Sequence, residues 1–338
     1  MKEKSEMPVT PSYLEKLHAI LAAVKNRKIL VFGDLMIDEY IYGIVSRISP
    51  EAPVPVLEFK SSERLLGGAA NAALNIESLG ADCTIIGCIG GDYEGEILLS
   101  LVQSHGISHI DLIVDKDRRT TKKTRVVAHN QNVIRIDNET SEPVSESIEQ
   151  DLIKLLEANL EKIEGVLISD YSKGTITPRT ARWLVGACKR RSIPVLLDSK
   201  SANTSAYEGV TILTPNISEA QAFTGIKADD EASFNKMGFR LLEKFMSYSA
   251  VITRAEKGMT VFTHDLRPYN IPAFSMEVRD VTGAGDTVAA SFILCLAAEL
   301  TLEDAAFFAN TAAAAVVRKV GTATPLISDM EEILLHHE

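Results

Sequence analysis

The sequence predicts an α/β protein built on a doubly wound, mostly parallel sheet with helices on both faces, and three observations predict it. First, six compact apolar runs recur along the chain: Lys28 to Gly33, Thr84 to Ile89, Val166 to Asp170, Val195 to Asp198, Thr211 to Thr214 and Val251 to Thr253. Such runs suit strands buried on both faces. Second, segments with helical character separate them, at 68–79, 146–162, 178–191, 217–224, 231–247, 286–298 and 302–318. That alternation implies parallel strands joined by crossover helices. Third, several runs end in a polar residue and then a loop, and ligands bind at that edge of an open α/β sheet.

Taken in order, the chain opens with a polar start and an amphipathic segment at 11–26, where Leu14, Leu17, Ile20, Leu21 and Val24 fall at helical spacing. Residues 1–27 therefore read as a helical extension and 28–338 as one main domain. The stretch 40–66, with prolines at 50, 53 and 55, and the Thr-, Val-, Arg- and Ile-rich stretch 114–137 break the alternation. They read as extra strands forming a small β-sheet lid over the ligand edge. There is neither an internal repeat nor a low-complexity linker.

With 338 residues, 46% hydrophobic content and 24% charged content, the chain can bury one large core. Its net charge of -11 and lack of a basic tract argue against nucleic acid as a partner. Cys83, Cys88, Cys188 and Cys295 form no C-x-x-C pair and read as buried thiols. His105 and His109 lack the intervening Glu of a zinc-hydrolase helix. The longest apolar stretch, Val288 to Leu300, is too short to span a bilayer and is broken by Glu299, and no signal peptide is visible. A cytoplasmic protein with no membrane partner is the expectation.

The strongest local motif is Asp280-Val281-Thr282-Gly283-Ala284-Gly285-Asp286-Thr287, followed by a helix of small apolar residues. Glycines let a ligand approach the backbone, and a helix start presents N–H groups and positive potential to an anion. Asp286 at that start is placed to accept a hydroxyl proton; it could instead simply cap the helix. Neither a P-loop nor a dinucleotide fingerprint occurs, so the phosphate site is of another kind. Gly67-Gly68-Ala69-Ala70-Asn71 opens a second helix, where the glycines admit a ligand or only close packing. Asn71, Asp34 and Asp38 are candidate partners for sugar hydroxyls. In Asn216-Ile217-Ser218-Glu219, Asn216 and Glu219 share one side of a helix start and could hold Mg²⁺ through water, although a capping box explains the same residues. Asp198 and Lys200 stand at a neighbouring strand end, where Lys200 could neutralise phosphate.

Together these motifs resemble the ribokinase-like (PfkB) carbohydrate kinases, in the family's order and spacing and over residues 28 to about 328. Within that family, Gly33 to Asp38, Ser46-Arg47-Ile48-Ser49-Pro50-Glu51-Ala52-Pro53-Val54-Pro55 and Asn130 to Asp137 are similar to the D-glycero-β-D-manno-heptose 7-phosphate kinases. The resemblance implies ATP-dependent phosphorylation of the anomeric hydroxyl to the 1,7-bisphosphate, on the route to ADP-heptose and the lipopolysaccharide core. It implies Asp286 as base, Gly283, Ala284 and Gly285 as the anion hole, and Mg²⁺ supported by Asn216 and Glu219. Thr253, Gly258, Asn310 and the region near Gly321 become the nucleotide wall, and a monovalent cation is an added option. A phosphorylated substrate calls for cations, and Arg47, Lys122, Lys123, Arg125 and Arg135 on the expected lid are candidates.

Two departures accompany the resemblance. Asp198-Ser199-Lys200 stands where many relatives have Asp-Pro-Lys. The nucleotidyltransferase H-x-G-H motif of some relatives does not occur, so a monofunctional kinase is expected, with adenylyl transfer left to another protein. Lid strands of the family often pair between subunits, which implies a homodimer. The rival readings are a kinase for another sugar, such as fructose 1-phosphate or ribose, a non-catalytic sugar-phosphate sensor, and a dehydrogenase, which the missing dinucleotide fingerprint disfavours.

Overall fold

A computed structural model describes residues 12–336 except 130, 202, 203, 266 and 276. Residues 1–11 of the expected extension and Asn130 of the heptose-kinase motif lie outside the described residues. In chain order the elements are α1 (Tyr13–Val24), β1 (Lys28–Ile48), β2 (Pro55–Gly68), α2 (Ala69–Ser78), β3 (Asp82–Gly90), α3 (Tyr93–Ser104), β4 (His109–Asp115), β5 (Thr121–Ala128) and β6 (Gln131–Asn138). There follow α4 (Glu146–Asn159), β7 (Gly165–Asp170), α5 (Pro178–Arg191), β8 (Val195–Ser199), β9 (Ile212–Leu213), α6 (Ile217–Thr224), α7 (Glu231–Phe245), β10 (Ser249–Thr253), β11 (Met259–Thr263), β12 (Tyr269–Ile271), α8 (Ala284–Ala297), α9 (Leu302–Val317) and α10 (Ile327–Leu335).

The main sheet has the order β12-β11-β10-β9-β8-β7-β1-β3-β4, parallel from β10 to β4 with an antiparallel edge at β11 and β12. Alternation along β1 explains the two layers: Ile29 and Val31 point to one core, with α1, α2, α3, α8, α9 and α10, while Leu30 and Phe32 point to the other, with α4 to α7. The α/β class and the two-faced covering follow the expectation. All four cysteines are buried and free. Among the described residues no helix is long and apolar enough to cross a membrane.

β1 belongs to two sheets. Its first part, to Asp34, pairs in parallel with β3 and β7; from Leu35 to Ile48 it pairs with β2, and over Met36–Gly43 also with β5, which in turn pairs with β6. The result is a second sheet in the order β2-β1-β5-β6, leaving the main sheet where β1 passes its carboxyl edge. The sequence reading placed the first extra strands at 40–66, but β1 runs on unbroken into the second sheet, so no boundary falls near residue 40. Residues 114 and 115 are a correction of the other kind: they end β4, which pairs with β3 at the edge of the main sheet.

The chain turns to opposite sides of the sheet after β1, towards β3 and β4 first and towards β7 and β8 later. The crevice beyond β1 and β7 is therefore the topological switch point, where this class of sheet binds ligands.

Candidate active site

At that switch point the N-terminus of α8 meets the crevice. Gly283 is the N-cap, with φ of 81° and no side chain to cap the first turn. A Cβ at Gly283 would lie 2.9 Å from Asn71 Nδ2, so the position needs glycine for its left-handed backbone and for its neighbour. No atom lies within 4 Å of where a Cβ on Gly285 would sit, which leaves the helix start open on that side. Asp286, in the first turn, is 4% exposed.

Both oxygens of Asp286 are held. Asn71 Nδ2 donates to Oδ2 at 2.7 Å, and the Tyr171 hydroxyl donates to Oδ1 at 2.7 Å. Asn71 is fixed in turn by Asn75, whose Nδ2 donates to the Asn71 carbonyl at 2.8 Å, and Thr287 Oγ1 donates to Asn75 Oδ1 at 2.7 Å. This buried ladder locks α2 to α8 and sets the rotamer of the carboxylate. Burial raises the Asp286 carboxyl above the usual range, with the bonds from Asn71 and Tyr171 and the charge of Lys200 opposing it. A carboxylate of raised pKa is a stronger base and remains oriented, which suits proton abstraction from a hydroxyl. Burial and the adjacent Asp286 charge push the Tyr171 phenol well above its usual value, so it is a hydrogen-bond donor across the working pH range.

Tyr171 and Lys173 were not singled out in the sequence, and the loop that carries them is shaped by Asp34. Asp34 Oδ2 accepts from the backbone N–H of Tyr171 and of Lys173, both at 2.9 Å, and Oδ1 from that of Thr175 at 3.1 Å. The reading of Asp34 as a sugar-hydroxyl acceptor is thus corrected: at 1% exposure it is spent on three backbone donors. Asp170, raised by burial, adds a further anchor by accepting from the Ser172 N–H at 2.8 Å and Ser199 Oγ at 3.0 Å.

Asn71 likewise faces Asp286 rather than an open hydroxyl site. Gly67 and Gly68 make room for β1: Cβ atoms there would lie 2.5 Å from Asp38 Oδ2 and from the Asp34 carbonyl oxygen respectively. Gly68 also lines the cleft, with Asp38, whose carboxylate pairs with the Arg125 guanidinium.

The cleft has a volume of about 370 Å³ and brings Asp286, Gly283 and Thr282 together with Lys123, Arg125, Arg135, Lys173 and Lys200. Period-two alternation decides which lid cations reach it. Lys123 pairs with Asp137 and Arg125 with Arg135 across β5 and β6, on the side of Asp38. Lys122 points the other way, to Glu94 at 2.6 Å and Glu39 at 3.6 Å, and is removed from the candidates. Arg47 is exposed near the far end of β1, about 30 Å beyond Asp38 at strand rise, and does not line the cleft either. A wider hollow of about 550 Å³ between Ser275, Glu277 and Arg279 on one side and α10 on the other is lined by paired charges, including Lys319 with Asp329 and Arg318 with Glu332. It holds none of the groups around Asp286, so the smaller cleft is the candidate site.

Asn216 and Glu219 form the capping box of α6: Asn216 Oδ1 accepts from the Glu219 N–H at 3.0 Å, and Glu219 Oε2 from the Asn216 N–H at 2.9 Å. The simpler of the two sequence readings is therefore present in the structure. Asn216 is bridged to Thr253 at the end of β10. Gly258 and Asn310 are occupied with one segment: a Cβ on Gly258, at φ of 81°, would lie 2.0 Å from the Ile271 carbonyl, and Asn310 Nδ2 donates to the Pro272 carbonyl at 3.0 Å. Neither lines the cleft. Asp198 is pushed up to about 8 by burial and by the charges of Asp286 and Glu219. Lys200 Nζ lies 3.9 Å from the Tyr171 ring centroid, which keeps a cation beside the base.

A family profile described as pfkB family carbohydrate kinase matches residues 26–329. The chain belongs to this family. It is an ATP-dependent sugar kinase. The bifunctional protein HldE of Geobacter metallireducens is 42% identical over 310 residues, and that of Wolinella succinogenes 42% over 315. These matches cover 92% and 93% of this chain, and 63% and 66% of those proteins, so the kinase spans less than two thirds of the relatives' length. In fold it is similar to Arabidopsis thaliana ribokinase complexed with ribose and ATP, with a TM-score of 0.73 at 19% identity, covering 91% of this chain and 99% of that one. It is also similar to Escherichia coli phosphofructokinase-2 in complex with fructose-6-phosphate, with a TM-score of 0.76 at 19% identity, covering 92% and 99%. The kinase therefore has the ribokinase-like fold.

Proposed function

We propose that this kinase phosphorylates the anomeric hydroxyl of D-glycero-β-D-manno-heptose 7-phosphate, giving the 1,7-bisphosphate in the cytoplasmic route to ADP-heptose and the lipopolysaccharide core. The observation that carries the reading is one cleft holding a doubly oriented buried carboxylate, Asp286, beside a concentration of Lys and Arg in a chain of net charge -11. A neutral sugar needs no such cluster; a sugar that already bears a phosphate does. The resemblance of the motifs to heptose kinases and the HldE relatives support the heptose phosphate as the substrate.

In this reading Asp286 removes the proton from the anomeric hydroxyl as that oxygen attacks the γ-phosphorus of ATP, the β–γ bridging P–O bond breaks and ADP leaves. The open start of α8 at Gly283 to Gly285 receives the charge that builds on the transferring group. Magnesium fits the oxygen-rich edge formed by Asp198 and Glu219, where burial and then the charges of Asp286 and Glu219 push Asp198 up. Magnesium commonly keeps several waters, so contact with these carboxylates through water suits it. When bound, the ion would neutralise charge on the ATP phosphates. A monovalent cation is the further option, as E. coli phosphofructokinase-2 has been crystallised in complex with potassium.

ADP release from Mg-ATP with a panel of sugars and sugar phosphates tests the assignment. The expected result is turnover on the heptose 7-phosphate with kcat/KM at least 100-fold above fructose 1-phosphate or ribose. Preference for another sugar would retain the kinase and remove the heptose, and sugar binding without turnover would make the chain a sensor.

The second sheet is proposed as a lid and as the dimer contact. Its face away from the cleft exposes Ile134 and Ile136, 55% and 54% accessible, in register with Val126 and Thr124. Sedimentation should give a dimer that Ile134→Asp with Ile136→Asp converts to monomer; a monomeric parent protein would end this reading.

A further inference from the structure

Two lysines in the cleft share a single carboxylate. Lys173 Nζ donates to Glu139 Oε1 at 2.7 Å, and Lys123 Nζ to Oε2 at 3.2 Å. The other cleft cations have their own partners: Arg125 is with Asp38, Arg135 with Asp137 at 2.9 Å, and Lys200 over the Tyr171 ring. Lys123 reaches Asp137 only at 3.4 Å, and that carboxylate already serves Arg135. The Lys123–Glu139–Lys173 group therefore carries an excess of one positive charge at the wall of the cleft.

We propose that Lys173 and Lys123 are the receptor for the phosphate that the sugar substrate already carries, with Glu139 bridging the two ammonium groups until that phosphate displaces it. The proposal rests on the reading of the substrate as a sugar phosphate. A phosphate monoester offers three acceptor oxygens and nearly two negative charges, where the carboxylate offers two oxygens and one charge, so exchange improves both counts.

Lys173 is built for this. Its backbone is held at both polar atoms, the N–H by Asp34 and the carbonyl by the Arg118 guanidinium, so little ordering of the chain is left for substrate to do. It also stands two residues from Tyr171, whose hydroxyl donates to Asp286, and both Asp286 and Lys173 line the same cleft. Lys173 belongs to the main sheet's edge and Lys123 to β5 of the second sheet, so a bridging phosphate ties the two sheets together.

The test compares kcat/KM for the sugar phosphate with that for the same sugar lacking the phosphate, in the parent protein, Lys173→Met and Glu139→Gln. Lys173→Met should lower the ratio about 30-fold, as expected for losing a charge-assisted contact to a dianion. Glu139→Gln, which removes the competing charge, should raise it several-fold. A ratio unchanged in both variants, or lowered in Glu139→Gln, would overturn the proposal. Binding of inorganic phosphate, followed by calorimetry, separates it from the heptose assignment. Phosphate binding lost in Lys173→Met keeps the receptor even if no sugar phosphate is turned over, whereas phosphate binding untouched by that change removes it.

Discussion

Asp286→Asn should lower kcat by about a thousandfold, within the range that a positioned general base contributes, while leaving the protein folded. The amide is the same size, and its carbonyl can accept from Asn71 while its NH₂ donates to the Tyr171 oxygen, so the ladder through Asn75 and Thr287 survives. The stability change has a definite sign. Because the folded Asp286 carboxyl has a raised pKa, its contribution favours folding below the unfolded value and is lost as pH rises through the folded one. Above the folded value the ionised group is thus a burden on the fold, and the neutral amide should melt no lower than the parent. Single-turnover kinetics and thermal melts at pH 7 read both effects. A kcat within tenfold of the parent would remove Asp286 from the role of base.

Tyr171→Phe should lower kcat about tenfold and shift the acid limb of the pH–kcat profile upward. The ring under Lys200 is retained and only the hydroxyl is lost. That hydroxyl stabilises the carboxylate form of Asp286, so without it the base holds its proton to higher pH. A hydrogen bond to a charged group is worth about 1.5–3 kcal/mol, which corresponds to a displacement of roughly one to two pH units. A residue that merely packed against the site would change kcat or stability without moving the limb. An unmoved limb would therefore leave Tyr171 with a packing role alone.

Both predictions concern a pair that local sequence patterns could not join. Asp286 was legible because glycines, a carboxylate and an apolar helix stand within a few consecutive residues. Tyr171 reaches it across 115 positions, from a loop with no periodicity. The one available signal was Asp170-Tyr171-Ser172-Lys173-Gly174, a polar cluster directly after a buried strand. Asp34 misled for a related reason: strand-end carboxylates serve ligands or loops, and here three backbone N–H groups lie nearby to claim it.

Helices with strong caps were read closely. The ranges of α5 and α6 coincide with those expected, each opening on a capping box that is visible as residue types. Elements α3, β4, β11, β12 and α10 were not anticipated. β4 pairs with a single neighbour at one edge of the main sheet, and β12 with a single neighbour at the other; the apolar pattern of such edge strands is weaker than that of strands buried on both faces. The lid cations show the limit of composition alone. Lys122 and Lys123 are adjacent and alike, yet the pleat sends one to Glu94 and the other to the cleft.

The continuity of β1 has a mechanical consequence. A strand bonded on both edges is stiff, and this one, paired on both sides up to Gly33 and again from Met36 to Gly43, leaves the main sheet at Asp34 and enters the second sheet within the next residues. There is no slack segment at that crossing to absorb a rotation. Any swing of the second sheet must twist the backbone between Asp34 and Asp38, and Asp34 grips the N–H groups of the loop that presents Tyr171 to Asp286. A twist of the second sheet therefore reaches the base by two routes, along β1 to Asp34 and the Tyr171 loop, and along β2, which runs at Gly68 into α2 and Asn71.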